Sequence, residues 1–164
     1  MKKLKTFLFF ITVMLIIHYS PVLAQTPTDS LQIRETVLNY LEGMETNNPQ
    51  RIEKAMHPDL AKRTIAKNKE GIEYPLNMTA ASLIGYSKDF DFGLFYKGDI
   101  DPEVPLKSEV TIYEISNGIA TVKAETNKFE FVDYIHLGKL NGEWKIINIL
   151  WVMTGNTNKW MNQE

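Results

Sequence analysis

Two Asn-Gly dipeptides, Asn117-Gly118 and Asn141-Gly142, lie in the C-terminal half of the chain, between runs that alternate apolar and polar residues. Asn-Gly suits a two-residue hairpin turn because both central positions need positive φ, which Asn and Gly tolerate best. Such a turn fixes strand register, and register decides which side chains share a face. With Asn141-Gly142 as the turn, Leu140 pairs with Glu143, Leu137 with Ile146, Ile135 with Asn148, Asp133 with Leu150 and Phe131 with Val152. Around Asn117-Gly118, Ile115 pairs with Ala120, Tyr113 with Val122 and Thr111 with Ala124. A tight turn at Asn127-Lys128 would set Ala124 opposite Phe131 and Val122 opposite Asp133. Side chains alternate with period two, so these residues, Leu140 and Glu143 apart, form one common face. It is almost entirely apolar, yet it carries Asp133 and Asn148. The other face holds Val132 with Trp151, Tyr134 with Ile149, and His136 with Ile147. An unpaired buried carboxylate is costly, so Asp133 requires a partner, a water or a raised pKa.

Upstream, Leu31, Val37, Leu38, Leu41 and Met44, with Ile33 and Tyr40 beside them, recur at helical spacing from Ser30 to about Thr46. Asn47-Asn48-Pro49 breaks this helix, and Pro49 suits the first turn of a second, short one through Ile52, Ala55 and Met56. His57-Pro58-Asp59 ends it, because a residue before proline avoids the helical region. Leu60 to Lys67 and Ile72 to Leu76 read as a strand pair, and Thr79 to about Phe90 as a third helix. Asp91 to Pro105 is an irregular connection. Four strands follow: Leu106–Ser116, Ile119–Thr126, Phe129–Leu140 and Glu143–Met153. Helices first and an antiparallel sheet last predict an α+β domain, with the helices covering one face of the sheet.

The N-terminus is basic through Lys2, Lys3 and Lys5, apolar from Phe7 to Ile17, and reaches Val22-Leu23-Ala24-Gln25. That pattern predicts a signal peptide over residues 1–24, cut after Ala24, and a secreted or periplasmic product. An uncleaved anchor is the alternative. The absence of cysteine excludes a lipid-attached cut, disulfides and thiolate metal ligands. Residues 25–29 form a polar lead, 30–153 the domain and 154–164 a polar tail. Without the leader, 15 basic residues face 20 acidic ones, and the net charge moves from −2 to −5. Such a balance gives no footprint for nucleic acid or for an anionic membrane.

Phe131-Val132-Asp133-Tyr134-Ile135-His136-Leu137 and Asn141-Gly142-Glu143-Trp144-Lys145-Ile146-Ile147-Asn148 resemble the last hairpin of the nuclear-transport-factor-2-like (SnoaL-like) superfamily. Tyr40-Leu41-Glu42-Gly43-Met44 and His57-Pro58-Asp59-Leu60-Ala61-Lys62-Arg63 resemble its subgroup named for putative lumazine binding. The resemblance covers about residues 30–153. It implies a cone-shaped curved antiparallel sheet wrapped around about three N-terminal helices, a pocket at the wide end and homodimers through the sheet's outer side. The superfamily includes isomerases, dehydratases, cyclases and non-catalytic binding modules, so the fold does not choose the activity.

Asp133 is the principal candidate, as a general base or as a hydrogen-bond anchor in an apolar pocket. Its structural alternative is to bond a helix N-terminus or Asn148. Asn148 is placed to orient Asp133 or to reach a ligand, and Tyr113 to supply an oxyanion-type donor. Phe131 and Leu150 complete the expected ligand-binding set. His57, at the end of the second helix, suits the helix dipole, or proton transfer with Asp59 orienting it. His136 falls on the outer face with Tyr134, Ile149 and Trp151, a set expected to form a homodimer surface. No metal site and no cofactor are expected. No nucleophile elbow, phosphate loop or dinucleotide fingerprint occurs. The sequence thus predicts an exported domain that binds a small apolar or aromatic ligand. Its alternatives are an isomerase- or dehydratase-type enzyme with Asp133 as base, and an interaction module using the outer face.

Overall fold

The computed structural model describes residues 27–98 and 100–155. The expected signal peptide, Gln25 and Thr26 of the lead, and residues 156–164 of the tail lie outside the described residues. Helix α1 spans Pro27–Glu45, so the end of the expected lead is already helical. Proline is tolerated in a first turn because its missing N–H would have had no helical partner. The buried face of α1 is Ile33, Val37, Tyr40, Leu41 and Met44, whereas Leu31 points to solvent. Asn47, at φ 48°, turns the chain out of the helix. Asn48 then caps α2, Pro49–Ala55, by accepting from the Arg51 N–H at 3.1 Å.

Strand β1, Met56–Lys67, begins directly after α2, earlier than the expected Leu60, and pairs with β2, Glu73–Thr79. Thr79 caps α3, Ala80–Tyr86, which stops short of the expected Phe90. Asn47 holds the chain beyond it by donating to the Ser87 and Phe90 carbonyls at 3.1 and 2.8 Å. One short 3-10 turn, Phe92–Phe95, occupies the irregular connection. The remaining strands are β3 (Ser108–Ser116), β4 (Ile119–Thr126), β5 (Phe131–Leu140) and β6 (Glu143–Met153).

These six strands form one curved, unclosed sheet in the order β2-β1-β6-β5-β4-β3, antiparallel except where β1 meets β6. Its inner face packs on the helices around a core of Val37, Leu41, Ile52, Val122, Ile135 and Ile146. Both Asn-Gly turns are present, with φ of 46° and 78° at Asn117 and Gly118, and 52° and 87° at Asn141 and Gly142.

Two bulges overturn part of the expected register. In the β5–β6 hairpin, Leu140–Glu143 and Leu137–Ile146 pair as expected. His136 then pairs with Asn148, leaving Ile147 as the extra residue. Beyond it Ile135 pairs with Ile149, Asp133 with Trp151 and Phe131 with Met153. Asn148, Leu150 and Val152 therefore turn outward, while Ile149 and Trp151 turn inward. The slip exchanges an amide for an indole in the core, and burying an amide without partners is costly whereas burying an indole is favourable. In β3, Ile115 pairs with Ala120 as expected. The register then shifts, and Ile112 pairs with Val122 and Val110 with Ala124. Tyr113 becomes the extra residue and points out, 57% exposed. Bulges bend the strand that carries them, which helps the sheet curl around α1.

Asn127-Lys128 is not a tight turn. β4 ends at Thr126 and β5 begins at Phe131, so Ala124 meets Asp133 and Val122 meets Ile135. The shift is by two positions, which preserves the face. Lys128 is buried in this loop, where its ammonium donates to Glu45 and to the Pro102 carbonyl.

Candidate functional site

Asp133 sits on the inner face of β5 and is 0% exposed. Its partner is Lys62 of β1, a residue not among the candidates expected from the sequence. Lys62 Nζ donates to Asp133 Oδ1 at 3.0 Å and to the Tyr40 hydroxyl at 2.6 Å. Tyr40, from α1, donates in turn to Asp133 Oδ2 at 3.0 Å. Three side chains from three elements thus close a ring in which both carboxylate oxygens accept. A buried charge pair persists only when its hydrogen-bonding capacity is met in this way.

The ammonium also faces aromatic rings. Lys62 Nζ lies 5.0 Å from the Trp151 ring centroid, 5.2 Å from that of Tyr40 and 5.5 Å from that of Phe131. Each ring presents its negative face to the cation. Burial pushes the Lys62 ammonium pKa below its ordinary value, against the pull of the Asp133 charge. Burial, followed by the Asp133 charge and hydrogen bond, pushes the Tyr40 phenol well above its own. Both directions favour neutral side chains at their positions.

Lys62, 6% exposed, forms part of the wall of a cavity of about 330 Å³. The cavity lies between β1, β2, α3 and the 3-10 turn, with Trp151 of β6 in its wall. Phe90, Phe92 and Phe95 supply an aromatic side, and Leu76, Met78 and Leu83 an aliphatic one. Lys62 is the single charged residue among those lining it. Its volume is near the lower end of the roughly 300–1,000 Å³ usual for small-molecule sites. An ammonium has three donors, and the ring with Tyr40 and Asp133 uses two, leaving one N–H for the cavity.

The expected site residues are therefore divided. Asp133 lies behind Lys62 and does not itself line the cavity. Phe131 is inward and supports the Lys62 ammonium, packing edge-on to Phe95 at 5.9 Å and to Trp151 at 6.1 Å. Tyr113, Asn148 and Leu150 are on the outer face, removed by the two bulges. Asn148 contacts His136 there, at 3.1 Å. His57 belongs to β1 rather than to a helix end, away from the cavity, and its Nδ1 accepts from the Asp59 N–H at 3.2 Å. Among the described residues no three His, Asp or Glu side chains gather as a metal-binding group. No described helix is long and apolar enough to cross a membrane.

The family described as "Putative lumazine-binding" matches residues 28–152. The chain belongs to that family. The solved structures that this lumazine-binding-family domain resembles, several of them described as nuclear-transport-factor-2-like, share its cone-like α+β fold. A nuclear-transport-factor-2-like protein of unknown function from Shewanella baltica OS155 is 14% identical, with a TM-score of 0.61 over 79% of this chain and 96% of its own. Another, from Methylobacillus flagellatus KT, is 20% identical, with a TM-score of 0.60 over 80% and 97%. A third, from Silicibacter pomeroyi DSS-3, is 15% identical, with a TM-score of 0.58 over 79% and 98%. No curated protein matches the chain significantly. At these identities the structural likeness concerns the fold, and the family description points to small-molecule binding.

Proposed function

We propose that this domain is an exported receptor for a small, flat, mostly apolar molecule held in the aromatic cavity, with Lys62 donating a hydrogen bond to a ligand oxygen. One observation carries the reading: a buried ammonium, already neutralised by Asp133 at 3.0 Å, is the lone charged group in a mostly apolar and aromatic lining whose other polar members are Thr64, Asn77, Ser82 and the Tyr86 hydroxyl. Because the pair is neutral overall, the cavity favours an uncharged acceptor such as a carbonyl over a free anion. The cavity's volume suits one or two fused rings.

Methyl benzoate tests this directly. Its binding is expected to quench the fluorescence of Trp151, and Lys62→Met is expected to weaken it about tenfold, as for one charge-assisted hydrogen bond of about 1.5 kcal/mol. Native mass spectrometry of protein taken from its own host reports any retained ligand. Equal affinity in wild type and Lys62→Met sinks the anchor role. The alternative of an isomerase with Asp133 as base has less support, because that carboxylate is 0% exposed and engaged by two donors.

We also infer that copies of the chain pair through the outer face of the sheet. Its membership is revised from the sequence expectation: Tyr134 and His136 remain, and Leu150 and Val152 replace Ile149 and Trp151. Tyr134 and Leu150 are cross-strand partners, and both are exposed apolar residues.

A further inference from the structure

We propose that Lys62 captures small aromatic aldehydes covalently, as a protonated imine at the floor of the cavity. This rests on the reading of the cavity as a ligand site and adds the chemical class of its occupant. Lys62 Nζ is held within hydrogen-bonding distance of Asp133 Oδ1, at 3.0 Å, and of the Tyr40 hydroxyl, at 2.6 Å. Those are the two groups that an amine–carbonyl condensation needs, one to receive a proton and one to return it. Asp133 accepts a proton from the ammonium across the existing hydrogen bond. In a site shielded from water the resulting neutral amine and carboxylic acid have no charges left to solvate.

The freed lone pair forms a C–N bond to the aldehyde carbon, and the carbonyl oxygen takes a proton relayed from Tyr40, which is replenished from Asp133. Asp133 then takes a second proton from the nitrogen and passes it through Tyr40 to the carbinol oxygen. That oxygen leaves as water as the C–O bond breaks and the nitrogen lone pair forms the C=N bond, so that the protonated imine stands opposite the Asp133 carboxylate. In total, aldehyde and ammonium give iminium and water, with no oxidant, reductant or further reactant.

The surroundings fit the product as well as the reactant. An iminium keeps a positive charge on the same nitrogen, so the ion pair with Asp133 persists. The Trp151, Tyr40 and Phe131 faces, with centroids 5.0 to 5.5 Å away, still stabilise a cation. The cavity in front of Nζ receives the aromatic group against Phe90, Phe92 and Phe95. Burial acts in the same direction by lowering the Lys62 pKa, as in other lysines that act as nucleophiles from apolar pockets. Lysines on the surface, such as Lys54 and Lys67, have neither the enclosure nor the proton relay.

The experiment is reductive trapping on the wild-type protein. Benzaldehyde is added at pH 7, borohydride converts any imine to a stable benzylamine, and peptide mapping reports occupancy at each lysine. Lys62 is expected to be labelled at least tenfold more than Lys54 and Lys67, with saturation as the aldehyde is raised, and methyl benzoate is expected to protect it. Labelling of Lys62 equal to or below that of Lys54 overturns the proposal. Methyl benzoate, which forms no imine, separates the two readings: its binding without an aldehyde adduct overturns only the covalent step. Failure of both probes to bind overturns the ligand site too. Because the comparison is among lysines of one folded protein, it does not depend on the stability of any variant.

Discussion

Lys62, Tyr40 and Asp133 stand or fall together. Removing one member of a buried ion pair leaves the other unpaired, which typically costs about 3–5 kcal/mol, whereas replacing both with apolar groups is often close to neutral. Lys62→Met alone is therefore expected to lower urea stability by that amount, and Lys62→Met with Asp133→Leu to recover most of it. A double-mutant cycle by urea denaturation checks this, and additive losses would contradict the coupling. Tyr40 provides a pH test. Its phenol pKa is raised in the folded chain, so the associated stability is whole below about pH 10 and is lost as pH rises through the folded value. Lys62 runs the other way, because its lowered pKa makes its burial less costly as pH climbs toward about 10.5. In an alkaline titration followed by phenolate absorbance, Tyr40 is expected to ionise only as the chain unfolds, and Tyr40→Phe to remove that late step. At this scale the sequence signalled a buried acid in need of a partner but concealed which one. On β1 the burial phase runs through Leu60, Lys62, Thr64 and Ala66, while Ile65 is exposed. An alternation read from hydropathy follows Ile65 and misses the lysine in phase with Leu60.

At the scale of elements, the two hairpins were legible because their turns are specified by residue type, and the bulges were not. From Ile146 to Val152, β6 is apolar on both phases apart from Asn148, so alternation does not settle which set lies inside. Packing decides, and Trp151 at 9% exposure against Leu150 at 49% shows the outcome. Trp151→Ala is accordingly expected to cost about 3–5 kcal/mol, and Leu150→Ala no more than about 0.5 kcal/mol in the monomer. Thermal denaturation of the two variants distinguishes the bulged register from the regular one, which would reverse their order. The parallel contact of β1 with β6 was also hidden, since it joins segments with no turn between them. For that reason the cavity walls from β1, β2 and α3 were absent from the sequence reading, although helices and strands there were foreseen to within a few residues.

For the whole molecule, the outer sheet face sets the expected assembly. Leu150→Asp is expected to halve the sedimenting mass of a dimer without altering methyl benzoate binding, since its side chain points away from the cavity. An unchanged mass would remove the outer-face contact. The α+β class followed from helices preceding a meander, a pattern that layer packing constrains tightly. Chemical identity did not follow, because the cavity draws on β1, β2, α3, β6 and the 3-10 turn together.

The pairing of β1 with β6 has a consequence in time. Lys62 emerges from the ribosome long before Trp151, and β1 lacks one of its two sheet neighbours until the final strand has been synthesised. Closing contacts so far apart in sequence is the slow part of folding. Ligand capacity therefore arises last and all at once, and a nascent chain stalled before β6 has no binding chamber to offer.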